Sequence, residues 1–186
     1  MTYLELHNAL TYVDHSRLKR KEMSDLILNN PSNIPTIIEI AFQVDDPLSC
    51  KACWILEFTA KEQLSLLFPQ IDNFVNNIDK VHLDPAVRPI AKICEVLMKS
   101  YFQSKDRKTC KALTTHHLES ITSACFGWLI GGHKVAAKAY SMTSLLLLGR
   151  TFGWIHPELR IILDQNYQNG SAAYKARARM TLAKLK

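Results

Sequence analysis

Four stretches of this sequence share one pattern when set under each other. DDPLSCKACWIL from Asp45, LDPAVRPIAKIC from Leu83, HKVAAKAYSMTS from His133 and GSAAYKARARMT from Gly170 bring Lys51, Arg88, Lys138 and Lys175 into one column. The next column holds Ala52, Pro89, Ala139 and Ala176. Two before the basic residue stand Ser49, Ala86, Ala136 and Ala173, and three after it stand Trp54, Ala91, Ser141 and Ala178. Small residues three apart lie on one side of a helix and let a neighbouring helix approach closely. Asp46-Pro47 and Asp84-Pro85 read as helix starts, because Asp caps free backbone N–H groups and Pro at the first helical position sacrifices no hydrogen bond. A further helical segment precedes each marked one, over residues 34–44, 66–79, 111–130 and 156–167. The basic positions recur at intervals of 37, 50 and 37 residues, and two helices per unit make a stack of helical hairpins.

The rest of the chain agrees with an all-α fold. Leu4, Leu6, Leu10 and Val13 fit one amphipathic helix, Leu18, Met23, Leu26 and Ile27 a second, and Ile34, Ile37, Ile38 and Ala41 a third. No stretch alternates as a strand does, and the Asn169-Gly170 pair reads as a helix stop. Apolar residues make up 47% of the 186 and charged residues 22%, ordinary for a globular domain. The longest apolar patches fall short of the roughly 20 residues of a membrane span, so no membrane partner is expected. MTYLELHNAL lacks the basic and apolar regions of a secretory signal. Five cysteines without a framework spacing then suggest reduced thiols in a cytoplasm. The net charge of +6 permits acidic partners without naming one.

Across residues 31–186 the units resemble HEAT repeats, in the Asp-Pro start, the basic residue four or five positions on and the small residue after it. The resemblance implies a single domain, a right-handed α-α superhelix of the HEAT and armadillo-like solenoid class with about four hairpins, residues 1–30 forming an irregular capping pair. The chain is also similar to short bacterial HEAT-like proteins that carry the name adenylosuccinate lyase. The Gly-Ser-Ser-rich loop ending in Met-Pro-x-Lys-x-Asn, which marks that lyase superfamily, is absent, so no catalytic residue carries over. In HEAT stacks the second helix of each pair usually lines the concave side, which makes Lys51, Trp54, Arg88 and Lys138 candidates for a ligand surface, with Lys175 the last of their column.

Each candidate also has a structural reading. The basic column is either a ladder of cations for phosphates or a set of ties to helix-start acids, which Asp46 and Asp84 supply for the first two units. Cys50 and Cys53 form a C-x-x-C at a helix start, where the dipole can lower a thiol pKa. A redox site needs a preceding strand and a zinc site two further ligands, and neither is legible, so both read as small core residues. His116 and His117 point about 100° apart on a helix and cannot share a metal from one face; no metal and no cofactor is expected. Trp54 followed by Glu57 one turn later resembles the Trp and carboxylate with which bacterial HEAT-like DNA glycosylases contact a damaged nucleotide, yet Trp54, Trp128 and Trp154 at helical spacing also read as core. The basic runs RLKRK at 17–21 and KARARMTLAKLK at the C-terminus read as solvated ends of the stack.

Two functions follow. The first is a non-enzymatic binding module that engages a protein or peptide on its concave face. The second is a nucleic-acid binder resembling HEAT-like alkylation-repair glycosylases. A basic inner face with an exposed aromatic favours the second, and an acidic or apolar one counts against it.

Overall fold

The computed structural model describes residues 1–185, and every element among them is helical. The α-helices are α1 (Tyr3–Leu10), α2 (Arg17–Asn29), α3 (Ile34–Ala41), α4 (Pro47–Glu62), α5 (Ile71–Val75), α6 (Asp84–Lys99), α7 (Arg107–Ala112), α8 (Thr115–Ile130), α9 (Val135–Leu148), α10 (Ile155–Tyr167) and α11 (Ala172–Leu182). The four marked segments are the first turns of α4, α6, α9 and α11, and these helices pack on one another in chain order, with α2 against α4. Around this row, α3 and α8 each pack on the row helix that follows, α10 packs on α9 and α11, and α1 packs on α3 and α4. Of the small column residues, Ser49, Ala52, Ala86, Ala91, Ser141 and Ala178 are buried, as close helix approach requires, whereas Ala136 and Ala139 are half-buried and Ala173 and Ala176 exposed.

The first helices of the units are less regular than the spacing predicts. The helix expected over 66–79 is a 3₁₀ turn over Leu64–Gln70, the short α5 and a second 3₁₀ turn over Ile78–Lys80. Pro69 sits inside the first turn and removes a backbone donor there. The helix expected over 111–130 breaks at Leu113, and Thr114 caps α8 by accepting from the His117 N–H. Between α6 and α8 lie a π-helical turn (Ser100–Ser104) and α7. Residues 100–112 account for the interval from Arg88 to Lys138 being thirteen residues longer than the other two. Lys105, which closes the π turn with φ of 49°, is the one non-glycine residue with positive φ among those described.

Three smaller expectations are also corrected. Leu4 and Leu18 are 66% and 68% exposed, so the inner stripes of α1 and α2 are Leu6 and Leu10, and Met23 and Ile27. Asp46 caps α4 through the Leu48 N–H at 2.8 Å, but Asp84 lies inside the first turn of α6 and Leu83 takes the cap position. The segment 34–44 ends as α3 at Ala41.

Candidate functional site: a cationic helix face

The face formed by α4, α6, α9 and α11 begins with a proline. Pro89 lies inside α6 and is buried. It has no N–H for the carbonyl of Pro85, four residues back, so that oxygen is free of its helical partner. Trp54 of α4 fills the vacancy, its Nε1–H donating to the Pro85 oxygen at 2.8 Å. The indole is thereby locked across the α4–α6 contact. His15 packs on one side of it, ring centroids 5.4 Å apart, and the Arg20 guanidinium lies 5.8 Å from its centre and 5.3 Å from that of Phe58. Trp54→Phe is expected to strand the Pro85 carbonyl and cost about 1–3 kcal/mol. In a Pro89→Ala background, where the helix supplies its own N–H, the same change should cost less than half as much in urea melts.

Arg88 stands one turn into α6 and forms a two-pronged pair with Glu57 of α4, at 2.5 Å and 3.4 Å. The Glu57 side chain is only 5% exposed and the Arg88 side chain 32%. Lower on the same helix, Lys92 and Lys99 flank Glu95 at 2.5 Å and 2.9 Å. Burial pushes the Glu95 carboxyl up, but hydrogen bonds from Lys92 and Lys99 outweigh it and hold the group below its ordinary value. Both buried acids on this face are thus neutralised by cations whose outer atoms reach solvent.

The grooves between the row helices are cation-lined. One, of about 380 Å³, is bounded by Arg20, Trp54, Asp84, Arg88 and Lys134. Its single carboxylate among the described residues is Asp84, which lies 3.2 Å from His133 Nδ1. On the other side of the α9 start, Lys138 and His133 line a second groove of about 250 Å³ with Tyr174. A third, of about 180 Å³, opens where α6, α9 and α11 end, among Lys99, Arg150, Arg177 and Lys184, with no carboxylate in its wall among the described residues. Arg88 and Lys99 are eleven residues apart on α6, so they share one side of the helix at a rise of roughly 16 Å.

The five residues singled out by the sequence therefore divide. Trp54 and Arg88 meet in the first groove and Lys138 lines the second. Lys51 donates to the Thr11 carbonyl at 3.0 Å and lines none of the three grooves. Lys175 is half-buried near the start of α11 and lines none of the three grooves. The ties expected between the basic column and the helix-start acids are not made: Asp46 pairs with His7 at 2.8 Å and Asp84 with His133. Glu57 is not a free companion to Trp54, since Arg88 holds it. Trp128 is core, 3% exposed, whereas Trp154 is 56% exposed and stacks on Phe126 away from these grooves. Sequence reading took Arg20 only as part of the basic run RLKRK and passed over Lys134, Lys99 and Arg150. The common signal of these three is position, one turn or less from an end of α6 or α9, which becomes visible only once the order of packing is known.

The histidine and cysteine candidates resolve in the same way. His116 is exposed; His117 is buried and accepts from the Thr114 N–H through Nδ1, leaving Nε2–H to donate to Asp72 at 2.7 Å. Among the described residues no three His, Cys, Asp or Glu side chains converge as a metal site, and no helix is long and apolar enough to cross a membrane. Cys50 and Cys53 are buried, and burial pushes both thiols up rather than down; Cys125 is pushed up to about 12 by burial. Of the five cysteines, only Cys110 is exposed. Maleimide labelling of the native protein is expected to modify Cys110 alone, with Cys50 reacting only after denaturation; prompt labelling of Cys50 would revive a thiol chemistry for the C-x-x-C.

Fold and grooves together define an all-helical protein with a cationic face on its central row of helices. Comparison with protein-family models, with curated proteins and with solved structures found no match.

Proposed function

We propose that the chain is a HEAT-like α-solenoid, coiled as a right-handed superhelix, that acts as a binding module and holds nucleic acid along the face of α4, α6, α9 and α11. The observation that supports this reading is the sign of the charge on that face. Its cations are the exposed Lys134, Arg150 and Lys184 and the half-buried Arg20, Lys138 and Arg177, while its acids Glu57 and Glu95 are buried and already paired and Asp84 is held by His133. A row of cations spaced along parallel helices suits the repeating charge of a phosphate backbone, which supplies most of the affinity of such complexes. The half-buried indole of Trp54, held between His15 and Arg20, offers an aromatic surface beside those cations, the combination that single-stranded regions use for stacking. An acidic protein segment would satisfy the same charges and is the competing partner; it has no use for the indole.

The reading is binding rather than glycosylase chemistry because neither acid near Trp54 is disposed to act. Glu57 is spent on Arg88, and Asp84 is held by His133. Lys134 and Lys138 provide the test. Neither has an acidic partner among the described residues, so alanine at either should leave stability within about 0.5 kcal/mol. Each substitution is expected to weaken binding of a short labelled DNA uniformly across sequences and to lower the salt slope by about one. Unchanged affinity in both variants, or tighter binding of a poly-glutamate peptide than of DNA at equal salt, would overturn the nucleic-acid reading.

A further inference from the structure

We propose that the cleft where α6, α9 and α11 end is a binding site for a compact, multiply charged phosphoryl anion of the diphosphate or terminal-phosphate kind. Three elements deliver cations to it: Lys99 from the end of α6, Arg150 from just beyond α9, and Arg177 and Lys184 from α11 and the residues after it. Among the described residues its wall has no acid. Lys99 is answered by Glu95 at 2.9 Å. Among the described residues Arg150 and Arg177 are answered by neutral oxygens, the Phe102 carbonyl and the Thr143 hydroxyl, each at 3.4 Å. Those distances lie at the long end for N–H···O bonds, and each guanidinium keeps further donors for a ligand.

Helix ends explain part of this cluster. Cations favour the partial negative charge of helix C-termini, and Lys99, Arg150 and Lys184 each lie within two residues of one. Arg177 does not. It sits in the middle of α11, half-buried, directed into the cleft against Thr143 of α9. Its presence adds a like charge to a site already basic, an arrangement that an anion relieves. A cleft of about 180 Å³ is several times the ~10–15 Å³ needed to hold one water, so an anion enters with part of its hydration. Two guanidiniums and two ammoniums lining one cleft suit a dianion or trianion better than the single charge of each backbone diester, and guanidinium forks match phosphoryl oxygens in pairs. The nucleic-acid reading also counts Arg150, Arg177 and Lys184 among its cations, but it is tested at Lys134 and Lys138, which do not line this cleft.

The probe is inorganic pyrophosphate, titrated into the full chain by calorimetry at low salt. Saturable binding at one site is expected, and the double change Arg150→Gln with Arg177→Gln should weaken it by at least about tenfold, the scale of losing charge-assisted contacts. Circular dichroism confirms that this variant folds. Lys134→Ala, in the other groove, should leave pyrophosphate affinity unchanged. A 5′-phosphorylated oligonucleotide that displaces pyrophosphate where its 5′-hydroxyl counterpart does not would assign the site to a strand end; displacement by neither would assign it to a free diphosphate. Absence of saturable binding, or equal weakening by Lys134→Ala and by the double change, would overturn the proposal. Because duplex binding is measured separately through Lys134 and Lys138, loss of one reading leaves the other standing.

Discussion

Arg88→Ala is expected to destabilise the protein by about 3–5 kcal/mol, the cost of leaving a buried charge without its partner. Glu57 is 5% exposed at its side chain and both its oxygens face the Arg88 guanidinium. It sits on α4 behind the Arg88 side chain of α6, which supplies the donors to both its oxygens. The signature that separates this from simple loss of packing is rescue. Glu57→Gln in the Arg88→Ala background removes the stranded charge and should recover part of the loss, although it deletes a further hydrogen-bond acceptor. If the double variant is as unstable as Arg88→Ala alone, the pair is not what ties α4 to α6. The same experiment bears on function, because it shows that Arg88 cannot be used as a clean probe of ligand binding. A weakened ligand affinity in Arg88→Ala would report unfolding as much as contact, which is why Lys134 and Lys138 are the better positions.

Gly149→Ala is the second large effect, and its origin is steric. A Cβ built on Gly149 falls 2.0 Å from the His156 Cδ2 atom and 2.2 Å from its Nε2. Gly149 closes α9 and His156 opens α10, and the ring is fixed there by its contact with the Leu146 carbonyl at 3.0 Å. To make room the imidazole must leave that carbonyl, and overpacking of this kind costs about 1–3 kcal/mol before the lost hydrogen bond is added. Thermal unfolding should show the loss. His156→Ala, which opens the space, should make Gly149→Ala nearly silent. Backbone freedom plays no part, since Gly149 has an ordinary helical φ of −61°.

The repeat column was legible because close helix packing demands small residues at fixed spacing, and those positions are buried in α4 and α6, whereas in α9 and α11 Ser141 and Ala178 are buried but Ala136, Ala139, Ala173 and Ala176 are not. What escaped were interruptions and long-range partners. Pro69 marks its own break inside the segment 66–79, which reads as one helix only when the proline is left unweighed. The Arg88–Glu57 pair joins residues 31 apart, and nothing local distinguishes Glu57 from an acid free to serve Trp54. The Trp54–Pro85 bond is a different case. A proline at position 89 of a helix announces a free carbonyl at 85, so a donor from a neighbouring helix was implied in advance; only its identity needed the packing order. The site residues Lys134 and Arg150 carry no motif, and they became candidates through their places at the two ends of α9; Arg20, part of the basic run at 17–21, joined them because α2 packs on α4.

The most direct measurement on the central claim is fluorescence anisotropy of a short labelled DNA duplex with the wild-type chain across a salt series. Contact between the cationic face and several phosphates predicts binding in the micromolar range or tighter at low salt. Affinity should then fall steeply, the logarithmic slope amounting to about −0.9 for each phosphate neutralised. A slope of several units is the expected result. No binding at low salt, or an affinity that salt does not change, would contradict the account and leave the cations of α6, α9 and α11 without a nucleic-acid partner.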